Sequence, residues 1–200
     1  MIFDPAVFLL LLAAGLLAFG SVYLLRRASA ARVAAWSEFA RRHGMDMGAR
    51  GLRLDGLREG LPLTVEARYL SEGKAMYAAA VLRLRVDSLL PPGFFLARQG
   101  LGDEASRRAG KGEPEHGDAW FDAFFNVKNL SPETASLLRH ERVREHLYEL
   151  TLACTAFRIR EGWIEAEQRL VPAKVEELEA FTRPALMLAS ALEQAQREPR

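Results

Sequence analysis

The chain has 200 residues, with 27 Lys and Arg against 26 Asp and Glu, and a single cysteine. A balance so near neutrality lacks the basic excess that a nucleic-acid partner requires, so no nucleic acid is expected among its partners. The lone Cys154 excludes an intrachain disulfide and a multi-cysteine metal site, and its apolar setting, Leu152-Ala153-Cys154-Thr155-Ala156-Phe157, fits a small core filler better than a reactive thiol.

In chain order, residues 1–5 form a short tail, and residues 6–25 read AVFLLLLAAGLLAFGSVYLL, without a charge. At about 1.5 Å per residue such a run reaches about 30 Å, the thickness of a bilayer's hydrocarbon core, and so predicts a single transmembrane helix. A cleaved signal peptide needs a basic leader and an Ala-x-Ala exit. Here Met1-Ile2-Phe3-Asp4-Pro5 carries no base, and the run ends in Arg26-Arg27. Arg26, Arg27, Arg32, Arg41 and Arg42 follow the span against one acid, Glu38, which places the rest of the chain on the cytoplasmic side. The expected location is therefore the membrane, single-pass, with the lipid bilayer as one partner.

Residues 26–44 form a juxtamembrane amphipathic helix, with Val33, Trp36, Phe39 and Ala40 spaced along one stripe and Gly44 as its stop. Residues 45–196 form a soluble α+β domain, and 197–200 a tail. Leu52 and Leu54 begin a strand that turns through Gly56 and Gly60. Leu63, Val65, Ala67 and Tyr69 then alternate with polar residues, and after Ser71-Glu72-Gly73-Lys74 so do Ala80, Leu82, Leu84 and Val86. The last two strands predict an antiparallel hairpin with one wet face, which carries Arg68, Arg83 and Arg85. Pro91-Pro92-Gly93 stops the sheet, and residues 100–118 compose a flexible loop.

Trp120 to Val127 reads as a central strand with aromatic area on both faces. Ser131-Pro132-Glu133 starts a helix, as N-cap hydroxyl, proline in the first turn and acid, and the stripe Leu137, Leu138, Val143, Leu147, Leu150 continues it as two helices bent near His140. Phe157 and Ile159, the turn at Glu161-Gly162, then Ile164 and Ala166 make a hairpin. The chain closes with a helix carrying Val175, Leu178, Phe181, Leu188 and Leu192, in which Pro184 predicts a kink. The fold class is α+β: an N-terminal single transmembrane helix, then a mainly antiparallel sheet packed with helices.

Tests for chemistry fail at required positions. In His140-Glu141-Arg142-Val143-Arg144-Glu145-His146 the two histidines lie six apart, about 120° around a helix, where a zinc-protease motif needs one turn. Ala109-Gly110-Lys111-Gly112 lacks the first glycine and the final hydroxyl of a phosphate loop, and Gly100-Leu101-Gly102 lacks the third glycine of a dinucleotide turn. Asp118 and Asp122 could share an environment for acid–base work, and solvated carboxylates explain them as well. Trp120, Phe121, Phe124 and Phe125 lack a surrounding basic groove and read as core. No catalytic, cofactor-binding or metal-binding residue is assigned, and no cofactor is expected.

The spacing Gly117-Asp118, Phe121-Asp122, Phe125, Val127, then Leu137-Leu138 and Leu147, followed by a hairpin and an apolar final helix, resembles a loose group of uncharacterised bacterial membrane-anchored proteins. That group has a domain of unknown function with an N-terminal transmembrane helix and a cytoplasmic α+β domain. The resemblance implies a protein of the bacterial inner membrane and transfers no site residue. The expected function is a non-enzymatic, membrane-tethered interaction or assembly module with a protein partner. Two alternatives stand beside it: a membrane-bound enzyme with a dispersed active site, and a lipid-headgroup-binding domain using Arg68, Arg83 and Arg85.

Overall fold

Alternating side chains build the frame of the molecule. In the computed structural model, which describes residues 5–49, 51–72, 74–98, 121 and 124–198, the longest strands are β3 (Leu61–Glu72) and β4 (Ala75–Arg85). They pair antiparallel, Leu63 opposite Leu84 and Val65 opposite Leu82, and these four side chains are buried on one face. A side-chain period of two sends their neighbours Thr64, Glu66, Val81 and Arg83 to the other face.

Six further strands complete the sheet: β1 (Asp46–Met47), β2 (Arg53–Arg58), β5 (Phe95–Arg98), β6 (Phe125–Lys128), β7 (Ala156–Arg160) and β8 (Trp163–Arg169). Their order is β1-β2-β3-β4-β8-β7-β5-β6, and every neighbour pair is antiparallel. Two hairpins close in two residues, Glu59-Gly60 between β2 and β3 and Glu161-Gly162 between β7 and β8, with positive φ at all four positions. That backbone matches the right-handed twist of paired strands.

Among the described residues, helices cover one face of the sheet. The C-terminal part of α1 (Pro5–His43) brings in Trp36, Phe39 and Ala40, and Trp36 Nε1 donates to the Pro172 carbonyl at 2.9 Å. The amphipathic helix α3 (Glu141–Ala153) adds Val143, Leu147 and Leu150, and α4 (Val175–Arg197) adds Leu178, Phe181, Leu188 and Leu192. Fully burying each such side chain contributes about 1.5–3 kcal/mol. Before α3, the short α2 (Pro132–Arg139) starts as its sequence predicts, the Ser131 hydroxyl accepting from the Thr134 N–H at 3.2 Å, and the chain bends at His140, which is extended. Pro184 lies inside α4, which runs on through 23 residues.

Three expectations need correction. The first is the N-terminal transmembrane helix: among the described residues, no helix is long and apolar enough to cross a membrane, so a single-pass membrane protein is not what the structure supports. Residues 6–25 and 26–43 belong to one continuous helix, Pro5–His43, whose second half carries Arg26, Arg27, Arg32, Glu38, Arg41 and Arg42.

The second correction is the strand after the loop. It begins at Phe125, whereas Phe121 and Phe124 are helical, and it forms the edge of the sheet rather than its centre. Phe125 and Val127 face the core, but Phe124 is 38% exposed, so the run of aromatics reflects a change from helix to strand. The third is Gly56, which lies within β2 and is not a turn residue. The loop 100–118, with Trp120, lies outside the described residues.

Candidate functional site

The face of the sheet that no described helix covers is ordered in rows, because residues paired across antiparallel strands stand side by side. One row runs Thr64, Arg83, Glu165, Arg158, Ala97, Asn126 across β3, β4, β8, β7, β5 and β6. The next runs Arg85, Trp163, Arg160, Phe95, Lys128. On β8, then, Trp163 and Glu165 stand at the centre of a rectangle with an arginine at each corner: Arg83 and Arg85 on β4, Arg158 and Arg160 on β7.

Glu165 is the hub. Its side chain is 8% exposed. Arg83 Nη2 donates to Oε1 at 2.7 Å, Arg160 Nε to Oε2 at 3.2 Å, and Arg158 Nε also donates to Oε2. Burial pushes the Glu165 pKa up, but the hydrogen bond from Arg158 and the charges of Arg158, Arg83 and Arg160 outweigh it and hold the carboxyl below its ordinary value. It is therefore an anion at neutral pH, fixed among cations. The three guanidinium side chains are 41–44% exposed, and each has five N–H donors in a fork suited to oxyanions. Three of those donors are spent on Glu165.

The second row mixes charge with rings. Arg85 lies over the Trp163 ring, 5.9 Å from its centroid, while two of its donors meet Asp87 Oδ2 at 2.9 and 2.7 Å. At the far end, Lys128 Nζ stands 6.0 Å from the centroid of Phe95. Toward the other end of the sheet the charges neutralise one another: Arg53 forks onto Asp55 at 2.7 and 2.9 Å, Thr64 donates to Asp55 at 2.8 Å, and Arg53 and Arg68 flank Glu66. The uncompensated positive charge thus collects around Trp163, and the row beyond Glu165, with Glu66, Val81 and Glu167, has acids in its place.

The arginines expected on the wet face do share it, but they divide. Arg83 and Arg85 join the rectangle, whereas Arg68 sits with Glu66. Trp163, Arg158, Arg160 and Glu165 escaped sequence reasoning; the signal open to it was the alternation Arg158, Arg160 around a Glu-Gly turn facing Trp163 and Glu165.

The histidines separate as their spacing implies. His146 Nδ1 lies 2.8 Å from Glu149, while His140 Nε2 lies 3.0 Å from Glu198 on the end of α4. His140 also lines an open cavity of about 710 Å³ between the turn after β4, α2 and the end of α4, together with Asp87, Ser88, Glu133, Ser136 and Glu198. Among the described residues neither serine hydrogen-bonds to His140, whose Nδ1 is buried without a partner, so no nucleophile–base pair forms. Also among the described residues, no group of three or more His, Cys, Asp or Glu is placed to hold a metal ion. Asp118, Asp122, Lys111 and Trp120 lie outside the described residues. Cys154 is buried, and burial pushes its thiol up to about 12, as suits a core filler.

These features define an α+β protein with one helix-covered and one arginine-bearing sheet face. No protein-family model matches the chain, and no curated protein matches it. Among solved structures it is similar to the mycobacterial trehalose monomycolate transport factor A, TtfA, at 12% identity with a TM-score of 0.44, over 83% of this chain and 97% of that one.

Proposed function

We propose that the protein is a non-enzymatic interaction module whose arginine-bearing sheet face binds the anionic headgroups of lipids. The observation that carries this reading is the cluster of Arg83, Arg158 and Arg160 around a single, nearly buried carboxylate, Glu165. Three guanidinium groups against one acid leave an excess of positive charge, and the carboxylate holds the side chains in place before any ligand arrives. Preordering of this kind lowers the conformational entropy lost on binding. Aromatic rings beside the cations, Trp163 and Phe95, suit a headgroup layer in which polar and apolar surfaces meet.

Flotation of the full chain with phosphatidylcholine vesicles, with and without phosphatidylglycerol, tests this reading. Apolar contacts raise binding to both; the arginine cluster adds an increment that only the anionic vesicles show and that added salt removes. Replacing Arg83 and Arg158 together by Gln should abolish that increment, at about 1 kcal/mol per cation near a charged surface, or on the order of thirtyfold in all. Equal binding to neutral and anionic vesicles would falsify the proposal.

A further inference from the structure

The rectangle of arginines around Trp163 carries a statement about which anion it takes. We infer that the site selects phosphomonoesters over phosphodiesters, an inference that rests on the headgroup-binding reading and narrows it. Arg83, Arg85, Arg158 and Arg160 bring four positive charges; Glu165 sits between three of them and Asp87 holds Arg85. Two positive charges remain, and they face a phosphomonoester that carries −1.5 to −2 at neutral pH, by the usual second ionisation near pH 6. A phosphodiester carries one.

Geometry adds direction. The arginines of the second row, Arg85 and Arg160, stand directly across from Trp163, and those of the first row stand diagonal to it. An anion seated beside Trp163 therefore has arginines of β4 on one side and arginines of β7 on the other. Two rows the other way, past Glu165, it would meet Glu66 and Glu167, which repel it. Donor count agrees: a monoester offers three terminal oxygens and a diester two, and each additional oxygen can accept from a further fork. Lys128, beyond Phe95, extends the positive row without approaching the centre.

The ligand chemistry has two possible sources, a lipid headgroup or a soluble phosphomonoester, and the experiment separates them. Calorimetric titration of the full chain compares glycerol phosphate with dimethyl phosphate, and flotation compares phosphatidic acid with phosphatidylglycerol in vesicles matched for surface charge. The expected result is at least a tenfold preference for the monoester in titration and greater retention on phosphatidic acid. Arg160→Gln should bring monoester and diester close to parity, and Arg160→Lys, which keeps the charge and loses the fork, should recover only part of the preference. Circular dichroism of both variants confirms that they fold.

Equal retention on the two anionic vesicles and equal titration of the two esters overturns the selectivity and leaves the headgroup reading standing. Loss of binding to every anionic vesicle while glycerol phosphate still binds supports the monoester class with a soluble source, and overturns the lipid reading instead. No binding to any of the probes overturns both.

Discussion

Glu165 concentrates several forces in one side chain. Its carboxyl is taken out of water yet stays ionised, because Arg158, Arg83 and Arg160 stabilise the anion more than burial destabilises it. Glu165→Gln leaves three cations facing one another around a neutral amide. The cost should be about 1–3 kcal/mol, smaller than for a fully enclosed pair since the arginines are half in solvent, and read as a lower urea midpoint at pH 7. The same residue shapes acid sensitivity. Glu165, Asp55 and Glu38 all have folded-state pKa values below their ordinary ones, Glu165 through its arginines against burial, Asp55 through Arg53 and Thr64, and Glu38 through Arg41 and Arg42. A depressed pKa stabilises the fold above the unfolded value, about 4.5 for a glutamate, and the stabilisation disappears as pH falls through the folded value, about 2 for Glu38. Urea midpoints measured from pH 7 to pH 3 should fall below about pH 4.5, and Glu165→Gln should show a shallower fall; an identical pH profile for the variant excludes Glu165 as a contributor. Two of the arginines were legible in the sequence because Arg83 and Arg85 alternate with Leu82 and Leu84. Their acidic centre was not, since nothing local in Trp163–Arg169 states that this strand lies against β4.

At the scale of elements, the Glu161-Gly162 turn ties the sheet to the site. Gly162 has φ +76, and a Cβ there would stand 2.5 Å from the Asp87 Cβ and 2.8 Å from its Cα, closer than packed carbons can approach. The Val86 N–H donates to the Gly162 carbonyl at 2.7 Å, so the turn and the end of β4 are held together. Gly162→Ala must move the Asp87 backbone or the turn, and with the unfavourable φ the expected loss is about 2–4 kcal/mol, measured as a drop in thermal midpoint. Because Asp87 holds Arg85 over Trp163, near-ultraviolet circular dichroism should change as well. Regular elements with a clean period were readable: β3, β4, the β7–β8 hairpin, the Ser131 cap and the break at His140 all stand where alternation or capping put them. Short elements were not. Asp46–Met47 and Phe95–Arg98 have two and four residues, too few for a period to emerge, and the edge strand Phe125–Lys128 was hidden by Phe121 and Phe124, which precede it and are helical.

For the whole molecule, α1 divides into two parts with different surroundings. Trp36, Phe39 and Ala40 are buried against the domain, while Leu16, Leu17, Phe19, Val22, Tyr23, Leu24 and Leu25 are 50–73% exposed. The stability of the domain therefore resides in the second part. A chain beginning at residue 28 should unfold with the same urea midpoint and the same cooperativity, whereas Trp36→Ala should cost about 3–5 kcal/mol by leaving a cavity and an unmatched Pro172 carbonyl. In water the exposed apolar side chains should drive the full chain into larger species on size-exclusion chromatography, and the shortened chain should elute as a smaller one. A midpoint shifted by the truncation locates further stabilising contacts before residue 28.

The strand order carries a temporal consequence. β4 and β5 follow one another in the chain, yet β8 and β7 stand between them. Until the hairpin that ends at Arg169 has been synthesised, β4 presents a free edge of eleven residues, Ala75–Arg85, rich in Ala, Val and Leu. Roughly 80 residues separate the end of β4 from the start of its partner, which at ~5–20 residues per second leaves that edge open for on the order of 4–16 s on the ribosome. An open apolar edge is a template for pairing with other chains. The birth of this protein is thus its most vulnerable interval, and a nascent-chain chaperone has a defined stretch to shield.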